Sequence, residues 1–130
     1  MQIPQDRIEV ARRTAEGLAA AATASQQPWQ VKFRKGYVAF QRDRGHNVIL
    51  VDLYWNRPVR LAIKLPAGCT PASLGLSNPF PQLEEIWLGY AHEWGWKIPA
   101  TDAIPDLSYV VDLAVKYSTL HDRPPPGPVA

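Results

Sequence analysis

Near the start of the chain, apolar residues recur at spacings of three and four. Ile8, Ala11, Ala15, Leu18 and Ala22 fall on one stripe, and Arg7, Arg12, Arg13 and Glu16 lie mostly off it. This is the pattern of an amphipathic helix. Asp6 followed three residues later by Glu9 predicts a capping-box-like start, each side chain satisfying an orphan backbone N–H. The stripe is rich in alanine, so the helix can approach its support closely while burying little area per residue. It is expected to fray over 23–27, before Pro28.

The period then changes to two. Val31 and Phe33 alternate with Lys32 and Arg34, Gly36 interrupts, and Tyr37 to Phe40 continue, so a bulge or tight turn is predicted inside this segment. Residues 43–46 read as a hairpin turn. Residues 48–55 are apolar on both parities except Asp52, which predicts a central strand covered on both faces for part of its length. After a turn at 56–58, Val59, Leu61, Ile63 and Leu65 alternate with Arg60, Ala62 and Lys64, the clearest strand signal in the chain.

Residues 66–81 carry the prolines and glycines of a loop. Leu83, Ile86, Trp87 and Tyr90 sit at helical spacing, which predicts a short helix from Pro79 or Pro81 to about Gly89, although Glu84, Ile86, Leu88 and Tyr90 also alternate. Trp94, Trp96 and Ile98 share a parity and predict a last short strand over 93–98. A closing helix over 105–118 has Pro105 and Asp106 at its start and an apolar stripe of Leu107, Val110, Ala114 and Tyr117. The expected fold class is α+β: an N-terminal helix, an antiparallel meander of three or four strands, a short helix, and a C-terminal helix packed on the sheet. Residues 1–120 form one domain in this reading. Residues 121–130, rich in proline, form an extended or disordered tail.

Three stretches also carry a resemblance. Tyr37-Val38-Ala39-Phe40-Gln41-Arg42, Asn47-Val48-Ile49-Leu50-Val51 and Arg60-Leu61-Ala62-Ile63-Lys64-Leu65-Pro66 resemble a small bacterial domain family of unknown function. That family is found fused to restriction-type nucleases and is sometimes labelled a predicted transport protein. Its members pair such a meander with a late tryptophan–glycine element and a closing helix, and here Trp94-Gly95-Trp96 and 106–117 match those parts. The resemblance covers about residues 29–118. It departs at 66–81 and 83–90, implies a fold, and transfers no site residues.

Composition narrows the functional classes. The single cysteine, Cys69, excludes an internal disulfide and fits a reducing compartment. Residues 1–7 lack the basic start and apolar run of a signal peptide, and no stretch reaches the roughly 20 apolar residues of a membrane span, so a cytoplasmic location is expected. The net charge is only +2, but residues 31–65 carry +6 and residues 66–122 carry −5. Such lopsidedness suits an acidic partner or head-to-tail self-association, so a homo-oligomer is one outcome.

Two sets of side chains are candidates for function. If strand parities coincide, Lys32, Arg34, Arg60 and Lys64 share a sheet face with Tyr54 and Phe40. Cations interleaved with aromatics suit phosphates and stacked bases. An ordinary solvated face is the plainer reading. The second set is Trp87, Tyr90, His92, Glu93, Trp94 and Trp96, an aromatic wall with a His/Glu pair that would suit a small-molecule pocket or small enzyme. Here the plainer reading, tryptophans filling the core, carries more weight. Neighbouring His92 and Glu93 point in different directions on a strand.

No metal site is expected, because His46, His92 and His121 lack paired spacing. Cys69 has no local base to activate it. With no phosphate loop or nucleophile elbow, no catalytic residues and no cofactor are assigned. The leading expectation is a non-catalytic binding module that contacts a protein or nucleic acid through the basic sheet face, away from any membrane.

Overall fold

The computed structural model describes residues 2–42 and 46–118. The expected tail, with His121, and most of the 43–46 turn lie outside the described residues. Eight main elements follow in order: α1 (Gln5–Ala24), β1 (Gln30–Arg34), β2 (Tyr37–Gln41), β3 (Asn47–Asp52), β4 (Val59–Lys64), β5 (Glu85–Leu88), β6 (Glu93–Ile98) and α2 (Leu107–Ser118). The strands form one antiparallel sheet in the order β1-β2-β3-β4-β6-β5. The α+β class is as expected, but the sheet has six strands rather than three or four.

Two of the added strands have simple causes. Gly36, at φ 87°, makes the two-residue turn between Arg34 and Tyr37 a position that favours glycine. The 29–41 segment is therefore two strands, β1 and β2. The expected helix ending near Gly89 is instead β5, an edge strand paired with β6 in the register Ile86↔Gly95 and Trp87↔Trp94. The tryptophan–glycine strand offers a free ladder edge, and alternation along 85–88 satisfies it.

Alternation also sorts the two faces. Phe40, Ile49, Val51, Leu61, Ile63, Trp94 and Trp96 point to the side on which α1 and α2 pack, and all are essentially buried. Both deeply buried indoles are satisfied: Trp94 Nε1 donates to Glu85 at 2.6 Å, and Trp96 Nε1 donates to Asn78 at 2.9 Å. The 66–84 loop delivers Phe80 edge-on to Trp96, with ring centroids 5.1 Å apart, and buries Leu83 in the same core.

The helices differ from expectation in detail. In α1 the buried row is Val10, Ala11, Thr14, Leu18, Ala21 and Ala22, while Ile8 is 38% exposed. The core-facing stripe is thus rotated from the expected one. No side chain caps its start at Pro4. Glu9 bonds Arg12 and Arg13 instead of the backbone, and these two guanidiniums lower its pKa to about 2. The helix ends at Ala24, and Gln26 takes a positive φ, close to the expected fraying point.

α2 begins at Leu107 rather than Pro105. Asp106 accepts from the N–H groups of Ser108, at 3.0 Å, and Tyr109, at 3.3 Å, the geometry of an N-cap. Asp106→Ala should therefore cost about 1 kcal/mol, read as a lower midpoint with an unchanged slope in urea denaturation.

Candidate ligand cleft on the open sheet face

The face away from the helices is organised by register. One row across the sheet runs Arg34, Tyr37, Asp52, Arg60 and Lys97. The next runs Lys32, Ala39, Leu50, Ala62, Gly95 and Ile86. Lys64 and Glu93 pair in a third row. The register therefore brings Lys32, Arg34, Arg60 and Lys64 onto one face, but Phe40 lies on the opposite side in the core.

The four cations have different environments. Arg60 Nε donates to Asp52 at 2.7 Å, its Nη2 bonds both Asp52 and Glu93, and Lys64 Nζ donates to Glu93 at 2.9 Å and to the Ala91 carbonyl at 2.8 Å. The Arg60, Asp52 and Glu93 side chains are only 10%, 13% and 9% exposed. Burial raises the Asp52 pKa above the ordinary carboxylate value, because the bonds from Arg60 only partly offset lost hydration. Burial also works against the Arg60 charge, but its two carboxylates outweigh that and hold its pKa above normal. Arg60 and Lys64 are thus neutralised within the chain by Asp52 and Glu93. At the β1 edge Arg34 is exposed and Lys32 is half-buried.

The aromatic set divides between core and surface. Trp94 and Trp96 are core residues, Trp87 is half-buried, and Tyr90 is 86% exposed. Glu93 belongs to the ionic network. His92 sits at φ 55° where a single 3₁₀ turn over 89–91 ends, and its buried Nδ1 has no hydrogen-bond partner. Both Glu93 oxygens are taken by Arg60 and Lys64, so the buried His92 Nδ1 is not bonded to its neighbour.

The structure brings members of the two candidate sets together. Tyr54, Arg57, Arg60, Ile86, Trp87 and Tyr90 line a cleft of about 510 Å³ at one end of the open face. Arg57, in the β3–β4 turn, places its guanidinium carbon 4.2 Å from the Tyr54 ring centroid, a cation–π contact. Burial, and then the charge of Asp52, raise the Tyr54 pKa above its ordinary value. On the far wall Lys97 pairs with Glu84 at 2.6 Å. Arg60 Nη1 is buried without a hydrogen-bond partner.

Sequence reasoning missed Arg57 and Arg7. Arg57 stands between Asn56 and Pro58 in a turn, and no spacing rule connects it to Tyr54. Arg7 looks like a solvated helix residue, yet its Nη1 donates to the carbonyls of Tyr54, at 3.4 Å, and Trp55, at 2.5 Å. It ties the start of α1 to the loop that carries the cleft's first aromatic.

Among the described residues, no three His, Cys, Asp or Glu side chains are grouped to hold a metal ion, and no helix is long and apolar enough to cross a membrane. Cys69 is a half-buried free thiol in the 66–84 loop. Comparison of the chain with protein-family models, curated proteins and solved structures finds no match.

Proposed function

We propose that this protein is a non-catalytic binding module that takes single-stranded nucleic acid on the open face of its sheet. One observation carries the reading: the Arg57 guanidinium over the Tyr54 ring in a cleft that also holds the exposed Tyr90. Aromatic planes and a stacked guanidinium receive unpaired bases of any sequence. Half-buried Lys32 and exposed Arg34 share the face and lie roughly 15–25 Å from the cleft at about 4.8 Å per strand, within reach of the same strand's phosphates. Arg60 and Lys64 act in this reading as the internal scaffold of the face, and Tyr54 remains a contact residue.

A fluorescence titration with single- and double-stranded oligonucleotides over a salt series tests it. Single strands should bind more tightly than duplexes, with affinity falling as salt rises. Arg57→Ala or Tyr90→Ala should each weaken binding about tenfold, the effect of losing one stacking contact. Absence of binding at low salt removes nucleic acid as the partner.

The cleft volume favours one second reading. About 510 Å³ lies within the roughly 300–1,000 Å³ of small-ligand sites. A mononucleotide that binds as tightly as a strand of about 10 nucleotides would identify a small-molecule pocket instead.

A further inference from the structure

The opposite edge of the sheet is built differently. α1 and α2 pack on β3 and β4, the two central strands. Beside α1, an apolar groove of about 550 Å³ is left open between Ile8, Ala15 and Ala19 on the helix and Val31, Phe33 and Val38 on the sheet. Phe33 is 74% exposed and Val31 is 37% exposed.

β1 is also an edge strand with an unpaired outer ladder. The two-residue turn closes on the Arg34–Tyr37 pair, and the Leu53 N–H donates to the Gly36 carbonyl at 2.9 Å. With hydrogen-bonding direction alternating along a strand, the backbone groups of Arg34 and Lys32 face β2. Those of Val31 and Phe33 face outward. The same two residues therefore offer backbone bonds and apolar side chains to one incoming strand.

Charge decides which strand fits. From Pro28 to Arg42 the chain contains no Asp or Glu, while Lys32, Arg34 and Lys35 line the hairpin. Lys32 and Arg34 project on the side away from the groove. A second copy fits poorly, since the symmetric antiparallel pairing that overlaps all of β1 sets Lys32 against Lys32. We infer that the β1 edge is a docking site for an extended peptide of another protein in which apolar and acidic residues alternate. Such a peptide would add a seventh strand, with its apolar residues in the α1 groove and its carboxylates against Lys32 and Arg34. This site shares Lys32 and Arg34 with the proposed nucleic-acid face, but its groove and its backbone edge do not depend on that reading.

The test uses the full chain and two blocked synthetic peptides, one alternating valine with glutamate and the other valine with lysine. Amide shifts are followed by NMR up to about 1 mM peptide, a range that detects weak association. The Val/Glu peptide should shift the Val31 and Phe33 amides and bind about tenfold more tightly than the Val/Lys peptide. The double variant Lys32→Glu with Arg34→Glu, both on the edge strand, should invert that preference, and Phe33→Glu should abolish binding of the Val/Glu peptide, each with an unchanged circular dichroism spectrum. Equal binding of both peptides, or of neither, overturns the inference and leaves a protected sheet edge. Light scattering that finds a dimer of the wild type, lost in Phe33→Glu, overturns it in favour of a second copy.

Discussion

Gly95→Ala should destabilise the fold by about 3 kcal/mol or more, lowering the thermal midpoint by roughly 10–15 °C for a chain of this size. Gly95 stands opposite Ala62 in the β4–β6 ladder. A methyl group there would overlap the Leu61 carbonyl oxygen and lie 2.8 Å from both Cα and Cβ of Ala62. Two of those three atoms are backbone in a strand whose residues Val59 to Ala62 are all buried, so neither can move without breaking the ladder. Differential scanning calorimetry of Gly95→Ala and of Gly95→Ala with Ala62→Gly separates the causes. If the clash is with backbone, removing the Ala62 methyl restores little. Full rescue by the double variant would place the strain in the side chain and overturn this account.

The same glycine illustrates what a sequence displays and what it hides. Trp94, Trp96 and Ile98 alternate in the sequence as they do in the structure, but the reason Gly95 stands between the tryptophans is a neighbour more than thirty residues away. β4 was the clearest strand in the pattern because apolar residues fill one parity, and it is central in the sheet. The segment of β5 has the period of a helix, because Leu83, Ile86, Trp87 and Tyr90 fall at helical spacing. Leu83 lies in a loop and Tyr90 in a 3₁₀ turn, with only Ile86 and Trp87 in the strand. The period was assembled from three different local structures. In α1, alanines gave little direction to the stripe. Its phase is set by close contact with α2, where a side chain added at Gly17 would run into Leu107.

The candidate site was half legible. Alternation pairs Lys32 with Arg34 on β1 and Arg60 with Lys64 on β4, since parity within a strand is a local property, whereas their common face depends on the register across β2 and β3. Which of them stays uncommitted depends on strand order. β4 lies between β3 and β6, so Asp52 and Glu93 reach Arg60 from either side. The cleft was hidden more completely. It joins a turn after β3, an edge strand and a 3₁₀ turn, and the clamp of Arg7 on the Tyr54 loop spans 47 residues.

The second large effect concerns that ionic network. Arg60→Met should cost about 3–5 kcal/mol at neutral pH, because removing the one cation leaves Asp52 and part of Glu93 buried without compensation. The cost should depend on pH with a definite sign. Already in the native chain the folded-state pKa of Asp52 is raised above its ordinary 3.8 by burial. The folded state thus holds that proton more tightly than the unfolded state. The corresponding stability is fully present below the unfolded value and is lost as pH rises through the folded one. Without Arg60 the pKa is raised further, so the deficit of Arg60→Met should be largest near pH 7 and shrink as pH falls towards 4. Urea denaturation of both proteins at several pH values reads this directly, and a deficit independent of pH would count against an electrostatic origin. Asp52→Leu combined with Arg60→Met removes two of the three buried charges and leaves Glu93 to Lys64, which it already meets at 2.9 Å. That double variant should recover most of the loss. If it also keeps the nucleic-acid affinity of the wild type, Arg60 serves only to hold the face together. A loss of affinity in the recovered fold would make Arg60 a contact for the ligand as well.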